Sequence, residues 1–281
     1  MTDQEGADWI PAGADLSRPS AARIYDYLLG GDHNLAPDRD VARKLTAIQP
    51  RVAGVARRNR AFLGRVVRFM LDQGVRQFLD LGSGIPTVGN VHEVAQEVDP
   101  LARVVYVDYE PVAVAHSRML LKDNPRAEAL EADATNAAAV LQSETAKRLL
   151  DFDQPVGLLA ITLGHYLPEV RGVFAAYRDA LPRGSYFALT HLTNDFAVLS
   201  DPRIAETMRS TQDNIYPRTK DEVLALLDGF ELVEPGLTTS ANWRPDRLAG
   251  VVDPQEDGLY AGVGVKLRCP ESLVQRQTGL W

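Results

Sequence analysis

Three aspartates stand where three successive apolar segments end, and together they could bind one composite ligand. Asp80 lies within "QFLDL", Asp108 ends "RVVYVD" and Asp133 follows "EALEA". A carboxylate attracts an ammonium group, and an acid after the second strand of an α/β sheet accepts hydrogen bonds from ribose hydroxyls. The third acid could accept from an adenine amino group. The three aspartates therefore predict a ligand that carries an ammonium group, a ribose and an adenine.

A glycine-rich turn, "FLDLGSGIPTVGN" over residues 78–90, separates the first of these acids from the second. Gly82 and Gly84 would allow a ligand to approach the backbone closely. The turn is an incomplete dinucleotide motif, because Thr87 stands where G-x-G-x-x-G requires its third glycine. Asp80 would also repel a pyrophosphate. S-adenosylmethionine, which contains all three groups, is therefore the predicted ligand, and a nicotinamide-dependent dehydrogenase is the weaker alternative.

The segments after the fourth and fifth apolar runs carry the side chains that could act on a methyl group. His165 and Tyr166 occur in "TLGHYLPE", while His191 and Asn194 occur in "THLTND". Methyl transfer from a sulfonium is an in-line displacement that mainly requires positioning. A base is required when the acceptor still carries its proton. His165, Tyr166 and His191 are therefore the predicted catalytic residues, with a structural role as the alternative for each.

A metal centre is not predicted. His92 and Glu93 begin in the same way as the zinc motif H-E-x-x-H, but Gln96 replaces its second histidine. His92 also lies near the apolar stripe of its predicted helix, which favours a packed position.

Alternating strands and helices must position these residues. Seven apolar segments predict strands: "QFLDL", "RVVYVDYE", "AEALEAD", "VGLLAITL", "GSYFALTHL", "FELVEPGL" and "LYAGVGVKL". Helical patterns separate the first five, including helices near 137–150 and 168–180, and two more helices are predicted near 202–215 and 219–228. This alternation indicates an α/β fold with a mostly parallel sheet. No helix separates the last two strands, so the last strand is expected to be antiparallel.

The segment before the sheet predicts a helical lid. Residues 1–57 form a polar arm followed by helical patterns, and residues 58–281 form the predicted main domain. Gly30 and Gly31 end the first helix, and Tyr25, His33 and Asn34 flank them. We expect this loop to fold over the methionine end of the cofactor and to exclude water from it.

One polar residue interrupts the apolar stripe of the helix that precedes the first strand. Asn59 is predicted at the start of that helix, which returns to the edge where the strands end. A cofactor contact and a helix cap are both compatible with this position.

Composition limits the partners that the chain could have. The 281 residues carry a net charge of −8, which makes nucleic acid an unlikely partner. The single cysteine permits no intrachain disulfide. No apolar run reaches membrane-span length, and the first residues lack a signal-peptide core. These features predict a cytoplasmic protein without a membrane partner. A small-molecule acceptor is the default, and the oligomeric state is left open.

The chain resembles the S-adenosylmethionine-dependent methyltransferases of the seven-stranded Rossmann-like class. Within that class it is similar to a bacterial family long labelled as a domain of unknown function. The stretches that carry the resemblance are "ARIYDYLLGGDHNLAPDRDVA", "ARRNRAFLGRVVRFM", "FLDLGSGIPTVGNVHEVAQ", "VVYVDYEPVAVAHSRMLL", "EADATN" and "GSYFALTHLT". Pro86 stands where the general motif of the class usually has a third glycine.

The resemblance implies the fold and the cofactor but leaves the methyl acceptor open. The candidate cofactor-binding residues are Tyr25, Gly31, His33, Asn59, Asp80, Gly82, Ser83, Gly84, Asp108, Tyr109, Asp133, Ala134, Thr162 and Leu163. A regulatory protein that binds the cofactor without turning it over is the alternative function from a different class.

Overall fold

The apolar segments form one mixed sheet in the computed structural model, which describes residues 11, 16–87, 89–246 and 250–267. The beginning of the first predicted unit, the end of the second one and Cys269 lie outside these residues. The strands are β1 (Gln77–Leu81), β2 (Arg103–Asp108), β3 (Ala127–Glu131), β4 (Gly157–Ile161), β5 (Tyr186–Leu192), β6 (Glu231–Leu232), β7 (Thr238–Thr239) and β8 (Leu259–Val265). The α-helices are α1 (Ala21–Leu29), α2 (Ala36–Ile48), α3 (Val52–Asp72), α4 (Val91–Val98), α5 (Pro111–Leu121), α6 (Ala137–Gln142), α7 (Glu144–Leu149), α8 (Val170–Ala180), α9 (Pro202–Met208) and α10 (Lys220–Ala225).

The strand order places the predicted acids at one edge of the sheet. The order is β3-β2-β1-β4-β5-β8-β6, and β7 pairs with β8. Strands β1 to β5 run parallel, while β8 runs antiparallel to β5. The chain therefore turns back between β1 and β4, and such a switch point opens a crevice at the carboxyl ends of the strands. The predicted α/β fold with an antiparallel last strand is confirmed.

Helices cover both faces of the sheet and form two apolar cores. On one face, α3 buries Phe62, Val66 and Met70 completely against the sheet and α4. On the other face, α6, α7 and α8 form the second core with β1, β2, β4 and β5, and Phe174 and Phe187 are in contact. The unbroken apolar run of β4 is buried because it lies in the centre of this sandwich.

The N-terminal helices rest on the carboxyl edge and are fixed there by a buried ion cluster. Arg23 of α1 is fully buried and donates to Asp38 of α2 at 2.8 Å and to Glu110, which caps α5. Apolar residues of α1 and α2 also pack against α9 and the segment after β5. The predicted division at residue 57 falls inside α3, so this helix spans both predicted units.

Several predicted elements have different bounds in the structure. The helix expected near 137–150 is broken at Ser143, whose extended backbone ends α6 and whose side chain caps α7. The helix expected over 202–215 ends at Met208, and the helix over 219–228 is reduced to α10. Within the sixth predicted strand, residues 230–237, β6 is the segment that forms a strand. The short strand β7 follows this segment and was not predicted, so the described sheet has eight strands instead of seven.

Candidate functional site

A cavity of about 480 Å³ lies at the carboxyl edge of the sheet, within the size range of small-ligand sites. Its floor is the glycine turn after β1 and the ends of β2, β3 and β4, and α3 forms one wall. The start of α1 and the segment 212–216 line its outer side. All but two of the candidate cofactor-binding residues line this cavity, and the exceptions are Gly31 and His33.

The glycine turn exposes backbone to the cavity. Gly82 and Gly84 adopt φ angles of +64° and +65°, which side-chain-bearing residues rarely occupy. The N–H groups of Gly82 and Ser83 donate to the Val107 carbonyl, which ties the turn to β2. A Cβ on Gly84 would find a single neighbour, Ala22, at 3.9 Å, so the space beside that glycine belongs to the cavity.

Asp108 supports the turn as well as lining the cavity. Its two carboxylate oxygens accept from the N–H groups of Gly84 at 2.7 Å and of Glu110 at 2.9 Å. Burial raises the pKa of Asp108, and these two hydrogen bonds oppose that rise. Each carboxylate oxygen can accept a second hydrogen bond, so Asp108 retains capacity for ligand hydroxyls.

Asp80 lies deeper at the same edge. It is 6% exposed, and burial raises its pKa to about 7, with the nearby Arg60 guanidinium opposing the rise and Asp108 adding to it. Arg60 also donates to the Asn90 side chain at 2.7 Å, which fixes the guanidinium at the head of α4. A cation bound here would favour the ionised carboxylate and lower this pKa.

Asn59 contributes a buried acceptor atom beside these acids. It lies within α3, seven residues after the first helical residue, so the prediction that it stands at the helix start is wrong. Its side-chain amide N–H donates to the Tyr25 hydroxyl at 2.9 Å, and that hydroxyl donates to the Ala56 carbonyl at 3.0 Å. The amide oxygen of Asn59 is buried without a hydrogen-bond partner, although the residue lines the cavity.

The turns after β3 and β4 complete the floor. Asp133 is exposed and accepts from the Thr135 N–H, and Ala134 is fixed through its carbonyl by the Tyr177 hydroxyl. Thr162 has a φ of +57°, an uncommon value for a β-branched residue. Leu163 then packs against Gly82, where a Cβ would approach within 2.7 Å of it.

Of the three predicted catalytic residues, Tyr166 lines the cavity and the two histidines do not. His165 is buried, and its Nδ1 accepts from the Leu192 N–H at 3.3 Å. His191 donates from Nδ1 to the Leu192 carbonyl, and its Nε2 accepts from Arg218 at 2.9 Å. Burial lowers the pKa of His165 far below its usual range and that of His191 to about 4. These contacts hold both rings neutral within the protein and give no geometric support to their predicted catalytic roles. Asn194 also lies outside the cavity lining.

The loop after α1 does not reach the cavity either. Gly31 packs so closely on Asp26 that a Cβ would overlap its carboxylate, and Asn34 donates to the same carboxylate at 2.8 Å. His33 lies against the His116 ring of α5, with centroids 3.7 Å apart. The first residues of α1, and not this loop, reach over the floor, so the expected contact of the loop with the cofactor finds no support.

Sequence reasoning missed the segment 211–216. The Asp213 carboxylate accepts from the Ala21 N–H at 2.8 Å and from the Tyr109 hydroxyl. The Gln212 N–H donates to the Pro19 carbonyl at 3.0 Å. These bonds join the segment to the start of α1 and form a roof over the floor. The polar run "QDN" was the one local signal, and it lay inside a segment predicted as helix.

Over the part of the chain that the structure describes, no group of His, Cys, Asp and Glu side chains could hold a metal ion. Within the same residues, no helix is long and apolar enough to cross a membrane.

A Rossmann-like sheet with a cofactor-sized cavity at its switch point, lined by strand-end acids and a glycine turn, fits an S-adenosylmethionine-dependent methyltransferase. A family model described as S-adenosyl methyltransferase matches residues 7–267, and the chain belongs to that family. Its cofactor is S-adenosylmethionine. This membership confirms the resemblance and favours a methyltransferase over the nicotinamide-dependent dehydrogenase and the non-catalytic binding protein.

Solved structures support the same family. A candidate methyltransferase from Thermobifida fusca YX is 40% identical, with a TM-score of 0.87 over 93% of this chain and 100% of that chain. A DUF574-family protein from Streptomyces avermitilis is 34% identical, with a TM-score of 0.85 over 90% and 99%. The magnesium protoporphyrin IX methyltransferase of Synechocystis, solved with bound S-adenosylhomocysteine, shares the fold at 12% identity, with a TM-score of 0.53 over 86% and 93%. No curated protein sequence matches the chain.

Proposed function

We propose that this methyltransferase transfers the methyl group of S-adenosylmethionine to a small organic molecule bound under the roof of the cavity. The observation that carries the proposal is the roof itself. The start of α1 and the segment 211–216 both line the cavity and hydrogen-bond to each other. A duplex or a folded protein requires an open groove, whereas a small molecule fits in a covered cavity.

The residues present fit the cofactor at three points. The unpartnered amide oxygen of Asn59 and the Asp80 carboxylate are acceptors for an ammonium group. Asp108 retains acceptor capacity for two ribose hydroxyls, and the backbone beside Gly84 leaves room for the chain that joins these groups. Asp133 lies at the next strand end, where an adenine amino group is expected. When bound, the cofactor supplies an activated methyl group on a sulfonium.

The protein's own contribution to the reaction is positioning and exclusion of water. Tyr25 is held by hydrogen bonds to Asn59 and Ala56, so its ring forms a rigid part of the wall. Tyr166 lies near Tyr25 and Asp213, and both raise its pKa in addition to the effect of burial. Its phenol therefore remains neutral and can orient an acceptor by a hydrogen bond. An in-line displacement gains most from such positioning.

A two-part measurement tests the proposal. S-adenosylmethionine and S-adenosylhomocysteine should raise the melting temperature, and NAD should not. In a metabolite extract, the protein should then convert S-adenosylmethionine to S-adenosylhomocysteine with formation of a methylated small molecule. Stabilisation by NAD alone, or methylation confined to macromolecules, would contradict the proposed function.

A further inference from the structure

The roof side of the cavity differs in chemistry from its floor. Near the roof, the Asp213 carboxylate lies beside Tyr109 and Tyr166, and Tyr25 and Tyr216 also line the cavity. Among the cavity-lining residues that the structure describes, the basic side chain is Arg60, which acts on Asp80 on the floor side. An anionic acceptor would thus meet a carboxylate on the roof without a matching cation. A cationic acceptor would meet aromatic faces and a carboxylate, which both attract it.

Among the residues that the structure describes, the roof side offers no strong base. The Tyr25 hydroxyl is occupied by Asn59 and Ala56, and the Tyr166 phenol stays protonated for the reasons given above. His165 and His191 are buried, do not line the cavity and are hydrogen-bonded to backbone groups. A carboxylate is too weak a base to activate an alcohol, whereas an amine becomes a good nucleophile once it loses one proton to water or to a carboxylate. The lack of a strong base near the acceptor therefore favours nitrogen over oxygen as the methylated atom.

Asp213 is placed to orient such an amine. It accepts one hydrogen bond from the Ala21 N–H and one from the Tyr109 hydroxyl. An ionised carboxylate has about four acceptor positions, so two remain for a ligand. Because its two protein partners lie in different segments, α1 and the loop after β2, the carboxylate is fixed in direction and can hold an ammonium group at a defined place.

We propose that the methyl acceptor is a primary or secondary amine, which enters as its ammonium ion and is held between Asp213 and the faces of Tyr25 and Tyr166. This inference rests on the proposed function and names the substrate class of that site.

The proposed transfer balances without any further reactant. The ammonium ion gives one proton to water or to Asp213, and the free electron pair on nitrogen attacks the methyl carbon. The nitrogen–carbon bond forms as the carbon–sulfur bond breaks, and the pair of that bond stays on sulfur. The products are the methylated ammonium ion and the neutral thioether S-adenosylhomocysteine.

A labelling experiment identifies the substrate class. The enzyme is incubated with trideuteromethyl S-adenosylmethionine and a bacterial metabolite extract, and mass spectrometry detects labelled products. We expect the products to bind a cation-exchange resin, and we expect acetylation of the extract's amines with acetic anhydride to abolish them. Labelled ethers or esters that pass through the resin and survive acetylation would overturn the inference and leave the proposed function intact. The absence of any labelled small molecule would overturn both.

Variants then test the residues. With the labelled amine as substrate, Asp213→Asn should raise KM at least tenfold and leave affinity for S-adenosylhomocysteine within threefold. Asp123→Asn, an exposed aspartate on the turn after α5, is the matched control and should change neither. A KM within threefold of the original for Asp213→Asn would overturn the role of Asp213.

Because Asp213 also joins the roof, a second pair of variants keeps the inference testable. Tyr166→Phe loses the hydroxyl but retains the aromatic face, so it should raise amine KM less than Tyr166→Leu, which should raise it at least tenfold. Equal KM values for the two variants would contradict recognition of a cation by the ring.

Discussion

The raised pKa of Asp80 predicts that cofactor binding depends on pH near neutrality. In the free protein this pKa is raised to about 7, primarily by burial, with Asp108 adding to the effect and Arg60 opposing it. An ammonium group binds the ionised carboxylate, so affinity should be complete above this pKa and should fall as pH drops through it. About a tenth of Asp80 is ionised at pH 6 and about nine tenths at pH 8, which predicts an affinity about tenfold weaker at pH 6.

The same shift affects the stability of the protein without ligand. Because the pKa in the folded protein is raised above the ordinary aspartate value of 3.8, its contribution to stability is complete below that value and is lost as pH rises towards 7. A shift of about three units corresponds to about 4 kcal/mol of differential stability at 1.36 kcal/mol per unit. The bound ammonium group offsets this cost, so the ligand should stabilise the protein more at pH 8 than at pH 6.

Isothermal titration calorimetry with S-adenosylhomocysteine tests this reasoning. Titrations at pH 6, 7 and 8 in buffers with different ionisation enthalpies give both the affinity and the number of protons released. At pH 7 about half a proton should leave on binding, because Asp80 is then about half ionised. Asp80→Asn should bind more weakly and without pH dependence. Equal affinities at pH 6 and pH 8, with no proton release at pH 7, would refute the assignment of the ammonium group to Asp80.

Three further predictions concern single residues. Asp108→Ala should weaken cofactor binding at least tenfold by calorimetry, because charge-assisted hydrogen bonds contribute about 1.5–3 kcal/mol each; unchanged affinity in a folded variant would contradict the ribose assignment. Gly82→Ala should lower the free energy of unfolding in urea by about 1–2 kcal/mol or more, because φ is +64° and the added Cβ would meet a leucine at 2.7 Å. Gly172→Ala, in open space within α8, is its control and should be neutral or stabilising. Arg23→Met should cost about 3–5 kcal/mol, because two carboxylates lose a buried partner, whereas Arg43→Met in an exposed pair should cost below about 1 kcal/mol. Similar losses for the two arginine variants would show that the buried cluster does not fix α1 and α2.

The sequence by itself determined the main strands of the sheet, the floor of the cavity and the cofactor. Local apolar patterns define strands and helices, and the rule that parallel strands end at one edge then brings Asp80 and Asp108 together without knowledge of any long-range contact. The glycine turn is equally local, because the positive φ angles of Gly82 and Gly84 are a property of those residues. The ends of helices were less predictable. Ser143 ends α6 and caps α7 within a segment that was predicted to be one longer helix.

The tertiary structure alone decided the roof and the state of each ionisable group. Asp213 contacts Ala21 across 192 residues of sequence, and no periodicity connects two such distant loops. The sequence predicted a catalytic role for His191. In the folded protein this side chain is buried, and its Nε2 accepts a hydrogen bond from Arg218. The pKa of Asp80 likewise depends on how much water its neighbours exclude. Burial and electrostatic environment arise from segments that are far apart in sequence, so residue types and spacing cannot specify them.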